Sequence, residues 1–157
     1  MVCEFSNNAV QTVNPGESVV FTASPVPCNR GLVRHRNDSG NFLLRGNVRR
    51  NACGCCAESA QYLVDFGANI AIPTGGTGGT VGSISLALTL DGATLPTTQM
   101  TVTPAAVEEY WNVSDATILG VWRGCCQTLT VRNISDQPIL VQNANIIFSR
   151  PDMNVTY

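Results

Sequence analysis

Gly120-Val121-Trp122-Arg123-Gly124-Cys125-Cys126-Gln127-Thr128-Leu129-Thr130-Val131 reads as the end of one strand, a tight Arg-Gly turn and the start of another. Downstream, Asn133 to Pro138 has turn composition, and Ile139 to Ser149 is a last long strand closed by Arg150-Pro151. Upstream, Ile84-Ser85-Leu86-Ala87-Leu88-Thr89-Leu90 alternates strictly and ends in Asp91-Gly92, the strongest short hairpin signal. Thr98 to Thr103 follows as a further strand. Ala60 to Ile72 alternates over thirteen residues, with Gly67 marking a bulge or a close backbone approach. Gly31 to Arg36 and Asn41 to Gly46 flank Asn37-Asp38-Ser39-Gly40, a hairpin pattern. Ala9 to Val13 and Ser18 to Ala23 are strands around the turn Asn14-Pro15-Gly16-Glu17, and Pro25-Val26-Pro27 breaks the second. Only Pro104 to Trp111 has the makings of a helical turn.

About ten short strands without a long helical period predict an all-β fold, a jelly-roll β-sandwich of 8–10 antiparallel strands. At 157 residues the chain suits one domain with a real core. Residues 1–8 read as a polar N-terminal arm, 9–150 as the jelly roll, and 151–157 as a tail that is loose or reaches a neighbour.

Charged residues make up 13% of the chain, about half the usual share, and every basic residue is arginine. Low charge suits an assembled β-protein better than a free monomer. A net charge of −2 gives no electrostatic case for nucleic acid. Arg45, Arg49 and Arg50 form a small cluster, read first as a solvated loop and second as an anion or partner site. No apolar run approaches the ~18 residues of a membrane helix, so no membrane insertion is expected. No signal peptide is visible at the N-terminus.

Seven cysteines in such a chain point to oxidation on an exterior, such as a virion, spore or cell surface. They are Cys3, Cys28, Cys53, Cys55, Cys56, Cys125 and Cys126, and their odd number leaves at least one free, metal-bound or paired with another chain. Bridging Cys125 to Cys126, or Cys55 to Cys56, would strain the bond, because adjacent Cα atoms lie ~3.8 Å apart. Each therefore bonds elsewhere, within or between subunits, and Cys3 on the arm is placed to reach another chain. The competing reading is a soft-metal site of four thiolates drawn from Cys53, Cys55, Cys56, Cys125 and Cys126. The spacing is not that of a zinc knuckle and no histidine is near, so no cofactor or metal is assigned.

The remaining chemistry-bearing residues have plain readings. His35 is the single histidine and reads as structural. No nucleophile has a positioned base, so the chain is not expected to be an enzyme. Glu108-Glu109 read as solvated, and Pro73 to Gly79 lacks the ending of a phosphate-binding loop. Tyr110, Trp111 and Trp122 are the residues able to stack on a sugar or contact a ligand, with core or interface packing as the plainer alternative. Four Asn-x-Ser/Thr sites, at Asn37, Asn112, Asn133 and Asn154, read as composition.

From about residue 9 to 150 the pattern resembles the trimeric jelly rolls of the tumour-necrosis-factor and complement-globular-head superfamily. The resemblance lies in the hairpin Leu32 to Leu44, in Gln61-Tyr62-Leu63-Val64-Asp65-Phe66 for the family's Tyr-x-Val-x-Phe strand, and in Ile84 to Gly92. It continues in Gln127 to Asn133 and in the closing strand Val141 to Arg150. It is most like bacterial and phage versions, such as the heads of collagen-like spore-surface proteins, and like small proteins of gut Firmicutes and their prophages that begin Cys-Glu-Phe-Ser-Asn-Asn. No collagen stem is present, and the cysteine clusters are additions to the family pattern. Spore-appendage subunits, which combine a jelly roll with cysteines on short arms, are similar in design. The resemblance implies a homo-oligomer, a trimer or else a filament, on an outer surface or virion. There it would be a structural subunit packed against itself or other surface or capsid proteins. The alternative is a trimeric receptor- or glycan-binding head.

Overall fold

The computed structural model describes residues 1–28, 31–48, 58–75 and 79–151. Its strands form two antiparallel sheets of six. The first contains β1 (Val2–Asn7), β2 (Gln11–Val13), β3 (Ala23–Val26), β6 (Ser59–Ala71), β10 (Trp111–Trp122) and β12 (Ile139–Ser149). Its order is β10-β6-β12-β1-β3, with β2 also on β12. The second contains β4 (Val33–His35), β5 (Phe42–Gly46), β7 (Ile84–Leu90), β8 (Ala93–Thr94), β9 (Met100–Val102) and β11 (Gly124–Asn133). Its order is β4-β5-β11-β7-β8, with β9 also on β7. The jelly-roll expectation is met.

The alternation in the sequence explains the core. In β6, Tyr62, Val64, Phe66 and Ile70 are buried, while Gln61, Leu63, Asp65 and Asn69 take the outer face. In β12, Ile139, Val141, Ile146 and Phe148 face in. A bulge falls between Gln142 and Asn145, where Asn143 takes a φ of 52°. It faces Gly67 and Asn69, so the irregularity expected at Gly67 sits on the strand opposite. One end of the core is aromatic. Phe42 stacks on His35 at 4.6 Å and meets Phe5, Phe21 and Phe148 at 5.0, 5.1 and 5.0 Å. His35 Nε2 donates to the Ser39 carbonyl (2.9 Å), which fits its structural reading.

Three expectations change. Residues 2–7 are not a detached arm. They form β1, with Cys3 and Phe5 buried, because Cys3, Phe5 and Asn7 alternate inward despite the polar composition around them. Residues 18–23 do not form one ladder strand, because this segment crosses between the sheets. Val19 donates to Val131 in the second sheet (2.8 Å), while the Gln11 side chain satisfies both backbone groups of Val20 in the first. The strand instead runs through Pro25 in β3, at a sheet edge where a missing N–H is tolerated. Residues 104–111 form no helical turn, whereas Pro96–Thr98 forms a 3-10 turn. Arg123-Gly124 joins the end of one strand to the start of the next, as expected. It carries the chain from β10 in the first sheet to β11 in the second.

That corner needs glycine twice. Gly124 has a φ of 114°. A Cβ on Gly46 would lie 1.8 Å from the Trp122 carbonyl oxygen, so β5 reaches the corner only with a glycine there. By contrast, Asp91-Gly92 behaves as its sequence requires. Both residues have positive φ, 50° and 83°, which is the two-residue turn matched to strand twist.

Buried polar groups join the sheets. The Tyr62 hydroxyl lies 3.0 Å from the Leu32 carbonyl and 2.6 Å from that of Arg45, across the sandwich. Arg150 is fully buried over the Tyr62 ring and donates to the Asn47 carbonyl (2.9 Å). Asn133 is also fully buried, and its amide donates to the carbonyls of Val13 and Gln137, both at 2.9 Å. Its Asn-x-Ser match therefore offers no accessible amide in the folded chain.

Candidate functional site

The cysteines expected as fasteners divide into two groups. Cys3 and Cys28 form a disulfide within the chain, with Cα atoms 4.8 Å apart. Cys3 is therefore not the link to another chain. β1 and β3 are adjacent antiparallel strands, and the bond pins the end of β3, an edge strand, onto β1. Cys126 is disulfide-bonded as well. Cys53, Cys55 and Cys56 lie outside the described residues, as does the side chain of Cys125. Cys125 and Cys126 occupy an irregular stretch of β11 between the pairs Gly124–Gly46 and Gln127–Leu44, so strict in-and-out alternation does not apply to them. A disulfide sulfur is not a thiolate ligand, so Cys126 as bonded here could not serve in the four-sulfur reading.

The three aromatic candidates all belong to the edge strand β10 or its approach, but they do not converge. Trp111 and Trp122 stand at opposite ends of a twelve-residue strand, about 36 Å apart at strand rise. Trp122 is 68% exposed and Trp111 46%. Trp111 Nε1 donates to Glu109 Oε1 (2.9 Å), and Glu109 Oε2 accepts from the Ala105 N–H (3.1 Å). Glu109 thus organises its loop through two hydrogen bonds. Glu108 has a positive φ of 56° and donates its N–H to the Ile72 carbonyl (2.8 Å). Tyr110, beside them, has its pKa raised by burial and further by Glu108.

Register identifies a larger feature, the outer face of the first sheet. Ile118 lies directly opposite Leu63, and Trp122 opposite Ser59. Asp65 lies opposite Ile147, which lies opposite Glu4, which lies opposite Val26. Ile118 is 68% exposed, and Val2 and Val26 also stand exposed on this face. Gln61, Leu63, Ile118 and Pro151 line a depression of about 320 Å³. The ionic groups on this face are acidic: Asp65, and Glu4, whose Oε1 accepts from Asn145 Nδ2. At the sandwich edge, Asp115 has a buried Oδ2 without a hydrogen-bond partner, and burial first and Asp65 second raise its pKa. Sequence reasoning singled out Trp122 but not Ile118, Leu63 or Ile147. The signal was present as apolar residues on both faces of β10, β6 and β12, but it reads as core until register is known.

Among the described residues no helix is long and apolar enough to cross a membrane, and no group of three or more His, Cys, Asp or Glu gathers to hold a metal. No protein-family model matches the sequence, and no curated protein matches it. Solved structures do match. The globular domain of zebrafish complement 1qA superposes with a TM-score of 0.59 at 13% identity, covering 94% of this chain and 92% of that one. Eiger TNF from S. frugiperda gives 0.64 at 13% identity, covering 100% and 96%. Murine APRIL at pH 5.0 gives 0.52 at 11%, covering 94% and 98%. At these identities the likeness is one of fold: the chain is a two-sheet jelly roll like those of tumour-necrosis-factor and complement globular domains.

Proposed function

We propose that the chain is a non-catalytic, self-associating jelly roll of an outer-surface assembly, whose copies pack through the outer face of the first sheet. The observation that carries this reading is the apolar run from Trp122 and Ile118 through Leu63 and Ile147 to Val2 and Val26. A large apolar side chain left 68% exposed on an edge strand is costly in a free monomer. Covering Ile118 and Trp122 contributes about 1–2 kcal/mol each. A trimer is the arrangement that the family resemblance implies. The disulfides support an oxidising exterior. The specific setting we propose is a phage-virion decoration or fibre, or a spore- or cell-surface filament.

Sedimentation or light scattering of the purified chain tests self-association. Wild type is expected to run as a trimer or larger, and Ile118→Arg as a monomer with an unchanged circular dichroism spectrum. Buried in the contact, the arginine would have to be desolvated against apolar side chains, which costs several kcal/mol. A monomeric wild type at micromolar concentration would sink the reading. Negative-stain images with and without reductant then separate a cross-linked filament from a discrete particle.

A second reading, a trimeric receptor- or glycan-binding head, is favoured by the likeness of fold and by the exposed ring of Trp111 held on Glu109. Reproducible hits on a glycan array, lost in Trp111→Ala, are its expected outcome.

A further inference from the structure

The outer face of the second sheet has the opposite character. Register puts Arg34 beside Leu43 and Leu43 beside Thr128. Arg36, just after β4, lines the same groove as Arg34 and Leu43, and Arg45, two residues along β5 from Leu43, takes the same sheet face. Arg34 and Arg36 are exposed. They line a shallow groove of about 410 Å³ together with His35, Asn41, Leu43 and Thr128. Arg132, further along β11, donates Nη1 to the Gly92 carbonyl (3.2 Å) and extends the basic face. Arg34, Arg36 and Arg45 have no ion-pair partner among the described residues, and Arg45 Nε is buried without a hydrogen-bond partner. The nearby acids are few. Asp91 is held by the Thr128 N–H (2.8 Å) and by Gln127 Nε2 (3.2 Å), and Asp38 lies in the exposed turn after β4. The outer face of the first sheet thus carries Glu4 and Asp65, while that of the second carries guanidiniums without an ion-pair partner among the described residues.

We infer that this arginine-lined face binds an extended polyanionic polysaccharide, sulfated or carboxylated. It deepens the binding-head reading by naming a site and a ligand class, and it does not depend on how copies pack. Guanidinium forks match sulfate and carboxylate in two-point geometry. Residues i and i+2 of a strand stand about 7 Å apart on one face, which suits repeated anions along a chain rather than one enclosed phosphate. The floor of Leu43, Asn41 and Thr128 adds apolar contact together with hydroxyl and amide donors for sugar hydroxyls. Single-stranded nucleic acid is the less suited polymer. Its bases stack on aromatic side chains, and among the described residues the exposed Tyr110, Trp111 and Trp122 all lie on or beside β10 in the other sheet.

Heparin serves as the probe, with an oligo-dT strand and neutral dextran as comparisons, at about 50 mM salt where polyelectrolyte contacts are strong. The folded wild type is expected to bind heparin with affinity falling steeply as salt rises. R34S/R36S is expected to bind about tenfold more weakly with a shallower salt slope, while R123S, exposed at the corner between sheets, binds as wild type. Melting curves and sedimentation of each variant verify fold and oligomeric state, so a change of assembly is read separately. Absence of heparin binding, or equal binding by R34S/R36S, overturns the inference. So does oligo-dT binding as tight as heparin. Neutral-glycan binding lost in Trp111→Ala but retained in R34S/R36S, without heparin binding, would uphold the head reading while overturning this site.

Discussion

Replacing Cys28 by serine opens the ring that the Cys3–Cys28 bond closes across 25 residues of sequence. Chain-entropy bookkeeping for a loop of that length gives about 3.5 kcal/mol of lost stability at room temperature. All other cysteines lie beyond residue 28, so no other bridge encloses this loop and its contribution stands separately. Cys28 is the better position to change, because it is only partly buried while Cys3 is fully so; serine at 28 leaves the core side of the contact filled. The variant is also cleaner than reductant, which would break the Cys126 bond too. Urea titration under oxidising conditions, followed by tryptophan fluorescence, should show a midpoint lower by about 1–2 M, and heating a Tm lower by about 7–14 °C. The first change on titration should be loss of β3, an edge strand whose register with β1 is already irregular. A Cys28→Ser midpoint that stays within about 0.3 M of wild type would refute the reasoning. It would mean that the bond does not constrain the unfolded chain as calculated.

Two further outcomes follow from the polar groups. Tyr62→Phe keeps the ring under Arg150 but removes the hydroxyl shared by the Leu32 and Arg45 carbonyls, so it should cost about 1–2 kcal/mol in the same titration. Asp115 has a folded-state pKa above the ordinary carboxylate range, so the folded chain holds the proton more tightly than the unfolded one. Stability attributable to this group is therefore greatest below the ordinary range and falls as pH rises towards and through the raised value. Asp115→Asn should remove that dependence and raise Tm at neutral pH by about 1–2 °C, a small gain because solvent screens the site. A lower Tm at neutral pH in Asp115→Asn would show that the carboxylate is stabilising instead.

Strand identity was legible where pattern and turn chemistry agreed. Ile84 to Leu90 alternates, and Asp91-Gly92 supplies the two positive φ values that its turn needs, so this hairpin follows from local physics. The same holds for β6 and β12, whose period of two selects their inner faces. Local pattern misleads where a segment is satisfied from outside itself. Residues 18–22 alternate like a strand, yet Val20 is bonded by the side chain of Gln11 and Val19 by Val131 on the opposite sheet. Residues 2–7 look polar and terminal, yet pairing with β12 on one side and β3 on the other makes them interior.

The candidate surfaces were the least legible part. Alternation names two faces for every strand but not which neighbour shares them, and a surface consists of several strands at once. Ile118, Leu63 and Ile147 become one apolar face only through antiparallel registers that join residues dozens of positions apart, whereas Arg34, Arg36 and Arg45 meet through the local β4–β5 hairpin. The cysteines follow the same rule. Their number is a property of the sequence, but pairing Cys3 with Cys28 required β1 and β3 to lie side by side. By itself the sequence determined an all-β chain with its turns, its low charge and its cysteine content, because these rest on local sterics and composition. The tertiary structure alone decided which residues meet, because cross-strand register is set by packing of the whole sandwich.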